Sequence, residues 1–318
     1  MVENSLNRLK ENISKAVVGY EDVIDLLMVG LLANGHVLIE DVPGLGKTLL
    51  AKSLAVSLGC KFKRIQFTPD LTPTDVTGFY IFDKGTNEFV FRNGPILTNI
   101  LLADEINRAV PRTQSSLLEA MEEWQITVDG QTIVLPKPFI VLATQNPIDL
   151  EGTFVLPEAQ LDRFLLRINL GYPFEENELK ILETHGKENP LASMKPVIGL
   201  EEILRWQELR GEVVSHRSIL KYIVEIVRET RSHKAVALGA SPRASLALFK
   251  AAQALALITG RDFLIPDDVK KLVKPVLAHR LVLKKADLLR GIDGEMILEE
   301  ILTKVPVPLA EGEESSGK

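Results

Sequence analysis

The 318-residue chain has a single cysteine, Cys60, so no disulfide can form within it. That fits a reducing compartment rather than a secreted scaffold. Cys60 lies in "SLGCKFKRI", between a helical and a strand-like stretch, and reads as a small packing residue. Long apolar runs are also missing. The most apolar stretch, "VIDLLMVGLLA" at 23–33, is broken by Asp25 and is too short to span a bilayer. The N-terminal "MVENSLNRLKENI" is polar, without the apolar core of a signal peptide. The expected localisation is cytoplasmic, with no membrane insertion. There is no basic excess either. The net charge of −6 and the sequence pI of about 5.6 disfavour a nucleic-acid partner. The Lys-rich "KKLVK" at 270–274 reads as a solvated helix face. The histidines, His36, His185, His216, His233 and His279, are scattered and show no metal-ligand spacing. No Ser-His-Asp arrangement suggests a protease, and no internal repeat is present.

What is present is an ordinary globular composition, 46% hydrophobic and 25% charged, in a chain long enough for about two domains. "HVLIE" at 36–40, "KRIQF" at 63–67, "NILLA" at 99–103, "FIVLAT" at 139–144 and "FLLRINL" at 164–170 read as buried strands. Helical spacing at 21–33, 48–58 and 115–124 alternates with them. The expected class is α/β, with a five-stranded, mostly parallel sheet. After "GYPF" at 171–174 the pattern is helical with no convincing strand. The domains expected are an α/β core at 1–174, an all-α domain at 175–305 and a disordered tail at 306–318. Two hairpins are expected within the core. "ITVDGQTIV" at 126–134 carries an Asp-Gly turn signal, and "GFYIFDKGTNEFVFRNG" at 78–94 is rich in aromatics. Its Phe79, Tyr80, Phe82, Phe89 and Phe91 read as packing the hairpin onto the core.

The first chemistry-bearing stretch is "DVPGLGKT" at 41–48, between a strand and a helix. Gly44 and Gly46 allow backbone N–H groups to turn around phosphate oxygens. The helix that follows points its positive end at the anion. Lys47 would reach the β- and γ-phosphates, and the Thr48 hydroxyl would ligate Mg²⁺. Asp41 stands where the usual pattern has its first glycine, a position that serves the turn out of the strand.

Hydrolysis needs more than a phosphate loop. "LLADEINR" ends an apolar strand with Asp104, a candidate Mg²⁺ holder, and Glu105, a candidate to polarise water. Asn146 ends the next strand, where an amide can sense the γ-phosphate. Arg163 in "LDRF" and Arg243 in "SPRA" suit triphosphate by permanent charge and forked donors. Either one can equally be a surface salt bridge.

Taken together, "DVPGLGKT", "LLADEINR", "TQSSLLEAMEE", "LATQNP", "GTFVLPEAQLDRF" and "GASPRA" resemble the MoxR family of AAA+ ATPases over about residues 15–285. The resemblance implies a P-loop NTPase αβα sandwich followed by a small helical lid. It implies Walker A at 41–48, with Pro43, Gly44, Leu45, Gly46, Lys47, Thr48 and Leu49 at the nucleotide, and Walker B at Asp104 and Glu105. It makes Asn146 sensor 1, Arg163 an arginine finger and Arg243 sensor 2. It also implies an adenine pocket near "VVGYED" at 17–22, including Val18 and Gly19, where Tyr20 replaces the family's usual Gln. By resemblance such a protein is a homo-oligomeric ring, commonly a hexamer, with ATP and Mg²⁺ between subunits. It acts as a chaperone-like remodeller, with a von Willebrand factor A domain protein or a metalloenzyme client as partner. Two other readings stay open: an assembly switch that turns over only with a partner, and a nucleic-acid motor.

Overall fold

A computed structural model describes residues 2–146, 152–185 and 189–308. The strands, in chain order, are β1 (His36–Glu40), β2 (Phe62–Gln66), β3 (Gly78–Asp83), β4 (Glu88–Asn93), β5 (Ile100–Asp104), β6 (Gln125–Val128), β7 (Gln131–Val134), β8 (Ile140–Gln145), β9 (Phe164–Ile168), β10 (Val236–Leu238) and β11 (Val282–Leu283). Five of them form one sheet in the order β2-β5-β8-β1-β9, and every pairing in it is parallel.

The central strands are apolar throughout because both faces are covered. In β1, β5 and β8 all but the last residue is buried. β2 departs from the expectation of a buried strand. Only Ile65 of its five residues is buried, because β2 lies at the sheet edge. The helix Glu21–Leu32 packs on β1 and β9, and the helix Lys47–Ser57 packs on β5.

Both expected hairpins form. β6 and β7 join through Asp129 and Gly130, both at positive φ (49° and 78°), the turn that suits the strand twist. In the β3–β4 hairpin the aromatics divide. Tyr80 and Phe91 pack against the core, while Phe82 and Phe89 meet edge-on with ring centroids 5.4 Å apart and stay exposed, as does Phe79.

The chain divides into compact units at Glu208/Leu209, later than the change of pattern at 174. Residues between these points return to the α/β layers. The Val197 N–H donates to the Ser57 carbonyl at 2.9 Å, Gln207 donates to the Leu31 carbonyl at 2.7 Å, and Ile203 and Trp206 are buried. In the second unit the helices Arg217–Ser232, Pro242–Ile258, Pro266–Leu277 and Gly294–Lys304 share a Leu/Ile/Val core. Their starts are set by sequence: the Ser241 hydroxyl and the Asp293 carboxylate accept N–H groups of the first turn. This unit also carries a short antiparallel ladder, β10–β11. Strands of three and two residues are too short to show an alternating pattern.

His36 opens β1 and shows how tightly the core is specified. Its ring lies among Trp124 and Phe139. Nε2 contacts the Met121 carbonyl at 3.0 Å, and Nδ1 accepts the Val141 N–H at 3.0 Å. Those partners fit the neutral ring with its proton on Nε2. Burial pushes its pKa down to about 4, against the raising effect of the Met121 carbonyl. The unfolded chain protonates this imidazole near pH 6.5 and the folded chain does not. Its contribution is therefore complete above pH 6.5 and is lost as pH falls toward 4. Denaturant unfolding at pH 7.5 and 4.5 should show wild type losing roughly 2–3 kcal/mol more than His36→Gln over that interval. Equal losses would contradict it.

Candidate active site

The connections leaving β1 and β8, which are neighbours, run to opposite edges of the sheet. A crevice opens beyond the carboxyl ends of strands at such a switch point. There a cavity of about 260 Å³ is lined by Gly44, Gly46, Lys47, Thr48, Asp104, Glu105 and Asn146, among others. Seven of the predicted groups, Pro43 included, thus meet Asn146 in one place.

Each is held by local chemistry. Gly44 and Gly46 have φ of 94° and 87°, and a Cβ on either would project into open space. Their need for glycine is conformational, not steric. The Lys47 ammonium donates to the Asp41 carbonyl at 2.6 Å. Partial burial lowers its pKa, opposed by Asp41, Asp104 and Glu105. Thr144, buried near the tip of β8, donates its hydroxyl to Asp104 Oδ1 at 2.6 Å. The Thr144 hydroxyl oxygen in turn accepts the Glu105 N–H at 2.8 Å. Glu105 itself has φ 55°, the left-handed region that a non-glycine residue rarely adopts. Arg64 on β2 donates to Asp104 Oδ2, and Gln66 donates to Glu105 Oε2 at 2.7 Å. Thr144, Arg64 and Gln66 escaped the sequence reading. Their only signal was their place on "KRIQF" and "FIVLAT", whose register against β5 is a tertiary fact.

Asp41 has a role that a glycine could not fill. Its Oδ2 accepts the N–H groups of Leu170 and Gly171 at 2.6 and 2.8 Å, and Oδ1 accepts the Val42 N–H at 2.9 Å. The Tyr20 hydroxyl donates to the Gly171 carbonyl at 2.9 Å. The turn that leaves β1 is thereby tied to the segment that follows β9. A second cavity of about 550 Å³ is lined by Val17, Val18, Tyr20, Leu45, Leu49, Tyr172 and Ile181, among others, and shares Pro43, Gly44 and Gly46 with the first. It is an apolar slot of the kind that a flat aromatic base fills. Gly19 does not line it. A Cβ there would strike the Asn177 side chain at 2.4 Å, so this glycine serves close packing.

Arg163 stands apart from both cavities. It precedes β9, at the end of the sheet opposite the loop, and its Nε pairs with Glu122 at 3.0 Å. A five-residue strand spans about 17 Å, beyond the reach of an arginine side chain. Arg243 lies in the second unit, exposed, near the start of the helix Pro242–Ile258. Cys60 is half-buried, and burial pushes its thiol up to about 12, so it is unreactive at neutral pH. Among the described residues no group of His, Cys, Asp and Glu could hold a metal alone. Thr48 and Asp104 offer oxygen donors at one cavity, the set that suits Mg²⁺ together with phosphate oxygens. Removal of the Asp41 clasp should loosen the loop. Asp41→Ala is expected to cost about 1 kcal/mol in denaturant unfolding and to weaken binding of a fluorescent ATP analogue severalfold. Unchanged values for both would show that the clasp is idle.

A model of the ATPase family associated with various cellular activities matches residues 36–166, and an AAA lid domain model matches 228–301. The uncharacterized protein YeaC of Bacillus subtilis is 52% identical over 304 residues, covering 96% of this chain and 95% of that protein. Chaperone MoxR1 of Mycobacterium tuberculosis is 44% identical, covering 96% and 83%. A solved structure assigned as an ATPase from Cytophaga hutchinsonii superposes with a TM-score of 0.91 at 37% identity, covering 97% of this chain and 96% of that one. Carrying a phosphate loop, an acidic strand end and a lid in the same order, the chain belongs to the MoxR family of AAA+ ATPases.

Proposed function

We propose that this protein hydrolyses ATP with Mg²⁺ at a site shared between copies in a ring, commonly a hexamer. Turnover would drive chaperone-like remodelling of a protein client in the cytoplasm. The observation that carries the reading is the single cavity joining Lys47, Thr48, Asp104, Glu105 and Asn146, continuous through the loop with an apolar slot. The base fits the slot beside Val18 and Leu49. Loop N–H groups and Lys47 then meet the phosphates. Thr48 and Asp104 would hold Mg²⁺, which supplies positive charge at the β- and γ-phosphate oxygens. Glu105 takes the water proton, and Asn146 places the water. Arg163, remote from its own loop, is proposed to reach a neighbour's phosphates after leaving Glu122. Arg243 is proposed to sense the γ-phosphate.

The relative named as a chaperone supports a protein client. The exposed Phe79, Phe82 and Phe89 of the β3–β4 hairpin offer apolar surface for one. A von Willebrand factor A domain protein or a metalloenzyme is the partner proposed. A second reading, an assembly switch that turns over only with its partner, is favoured by one feature: both acids are already engaged, Asp104 by Arg64 and Glu105 by Gln66 and Arg108.

The decisive measurement is specific ATPase rate against protein concentration, with sizing in parallel. A shared site predicts a rate that rises and then levels off as copies assemble. Glu105→Gln should lower turnover by about 100-fold or more with ATP still bound. Arg163→Ala should lower it about 1,000-fold with binding spared. A Glu105→Gln variant that hydrolyses ATP like wild type would refute the site assignment. Binding without turnover in wild type, relieved by a partner, would establish the switch.

A further inference from the structure

The Asp104 carboxylate accepts from two side chains, and one of them is a cation. Its Oδ1 takes the Thr144 hydroxyl at 2.6 Å. Its Oδ2 takes two nitrogens of one guanidinium, Arg64 Nε at 3.1 Å and Nη2 at 2.6 Å. The same Nη2 donates to Gln66 Oε1 at 3.0 Å. Gln66 then donates through Nε2 to Glu105 Oε2 at 2.7 Å. A continuous chain of donors thus runs from the cation on the metal-holding acid to the catalytic acid.

The placement follows from the edge strand. Arg64 and Gln66 are two residues apart, so they share a face of β2. In the parallel register Gln66 lies opposite Asp104, and Arg64 lies opposite Leu102. Both line the phosphate cavity with Lys47 and Thr48. The Arg64 side chain is 47% exposed. An ion pair that open to water is worth little, so a divalent ion carried in on phosphate can displace it. A divalent ion near Oδ2 would weaken the hold of the guanidinium there, because like charges at that separation repel.

We propose that Arg64 is a positioning residue that stands in for the metal. It holds the Asp104 carboxylate, and its grip on Oδ2 weakens when Mg-nucleotide loads. The inference rests on Asp104 as the metal-holding carboxylate.

The test is binding of a fluorescent ATP analogue titrated with MgCl₂, which reads metal loading without turnover. Arg64→Ala should lower the Mg²⁺ concentration for half-maximal binding by roughly three- to fivefold, the range set by a partly exposed ion pair. Binding in EDTA should match wild type. Lys63→Ala removes the same charge from the opposite face of β2 and should shift the midpoint less. In an Asp104→Asn background the Arg64→Ala shift should vanish. A midpoint unchanged or raised in Arg64→Ala overturns the proposal. So does an equal shift in Lys63→Ala, which would make the effect long-range charge alone. Loss of binding in EDTA would make Arg64 a phosphate ligand and would also overturn it. Wild-type binding indifferent to Mg²⁺ and to Asp104→Asn would overturn the metal reading itself, whatever Arg64 does. Thermal melts of each variant separate these outcomes from misfolding.

Discussion

One buried hydroxyl, that of Thr144, accepts the Glu105 N–H and donates to Asp104. The two acids sit at the end of β5, where the chain turns through a left-handed residue at Glu105. That backbone is costly unless its surroundings over-determine it. Thr144 supplies the constraint from β8, the neighbouring strand. It can do so only because β5 and β8 run parallel in the register that places Ala103 beside Ala143. A slip of one residue would turn Thr144 to the other face and leave both acids without this support. The core under the sheet holds that register, with Leu101, Ala103, Val141 and Ala143 packed against Leu117, Leu118 and Met121.

The phosphate loop relies on the same alignment from the other side. β1 pairs with β8 as far as Glu40 and Gln145, and the Asp41 N–H extends that ladder to the Gln145 carbonyl. Only then does the chain depart into the glycine-rich turn. Asp41 marks the point of departure and ties it to Leu170 and Gly171. Tyr20 donates to the carbonyl of the same Gly171 from the slot side. A change at either cavity therefore bears on one short segment. The Lys47 ammonium donates to the carbonyl of Asp41, so the loop's cation is tied to the same residue.

Charge around the acids is arranged in layers. Arg64 and Gln66 come from the edge strand, and Arg108 comes from the turn after Glu105. Each contact is partly exposed, so each is exchangeable. Arg163 belongs to a different surface. It lies at the end of β9 away from the loop, where it pairs with Glu122. The exposed tip of the β3–β4 hairpin adds surface that the core does not use.

Much of this was legible in one dimension. Gly44, Gly46, Lys47 and Thr48 follow a buried strand and open a helix. Asp104 and Glu105 end an apolar run, and Asn146 ends another. Alternation of strands with helices implied the parallel sheet, and Asp129-Gly130 implied its hairpin. These features are local, and local backbone chemistry writes them into residue order. Other features are not local. The edge position of β2 and the short β10–β11 ladder depend on which strands become neighbours. So do the attachment of residues 195–207 to the first unit, the Thr144 bridge, the Asp41 clasp and the grip of Arg64 on Asp104. Sequence alone determined the phosphate loop, the acids and the class of fold, because those need only residue type and spacing. The tertiary structure decided what holds the acids and what the aspartate at position 41 is for, because those bonds join residues 40 to 130 positions apart.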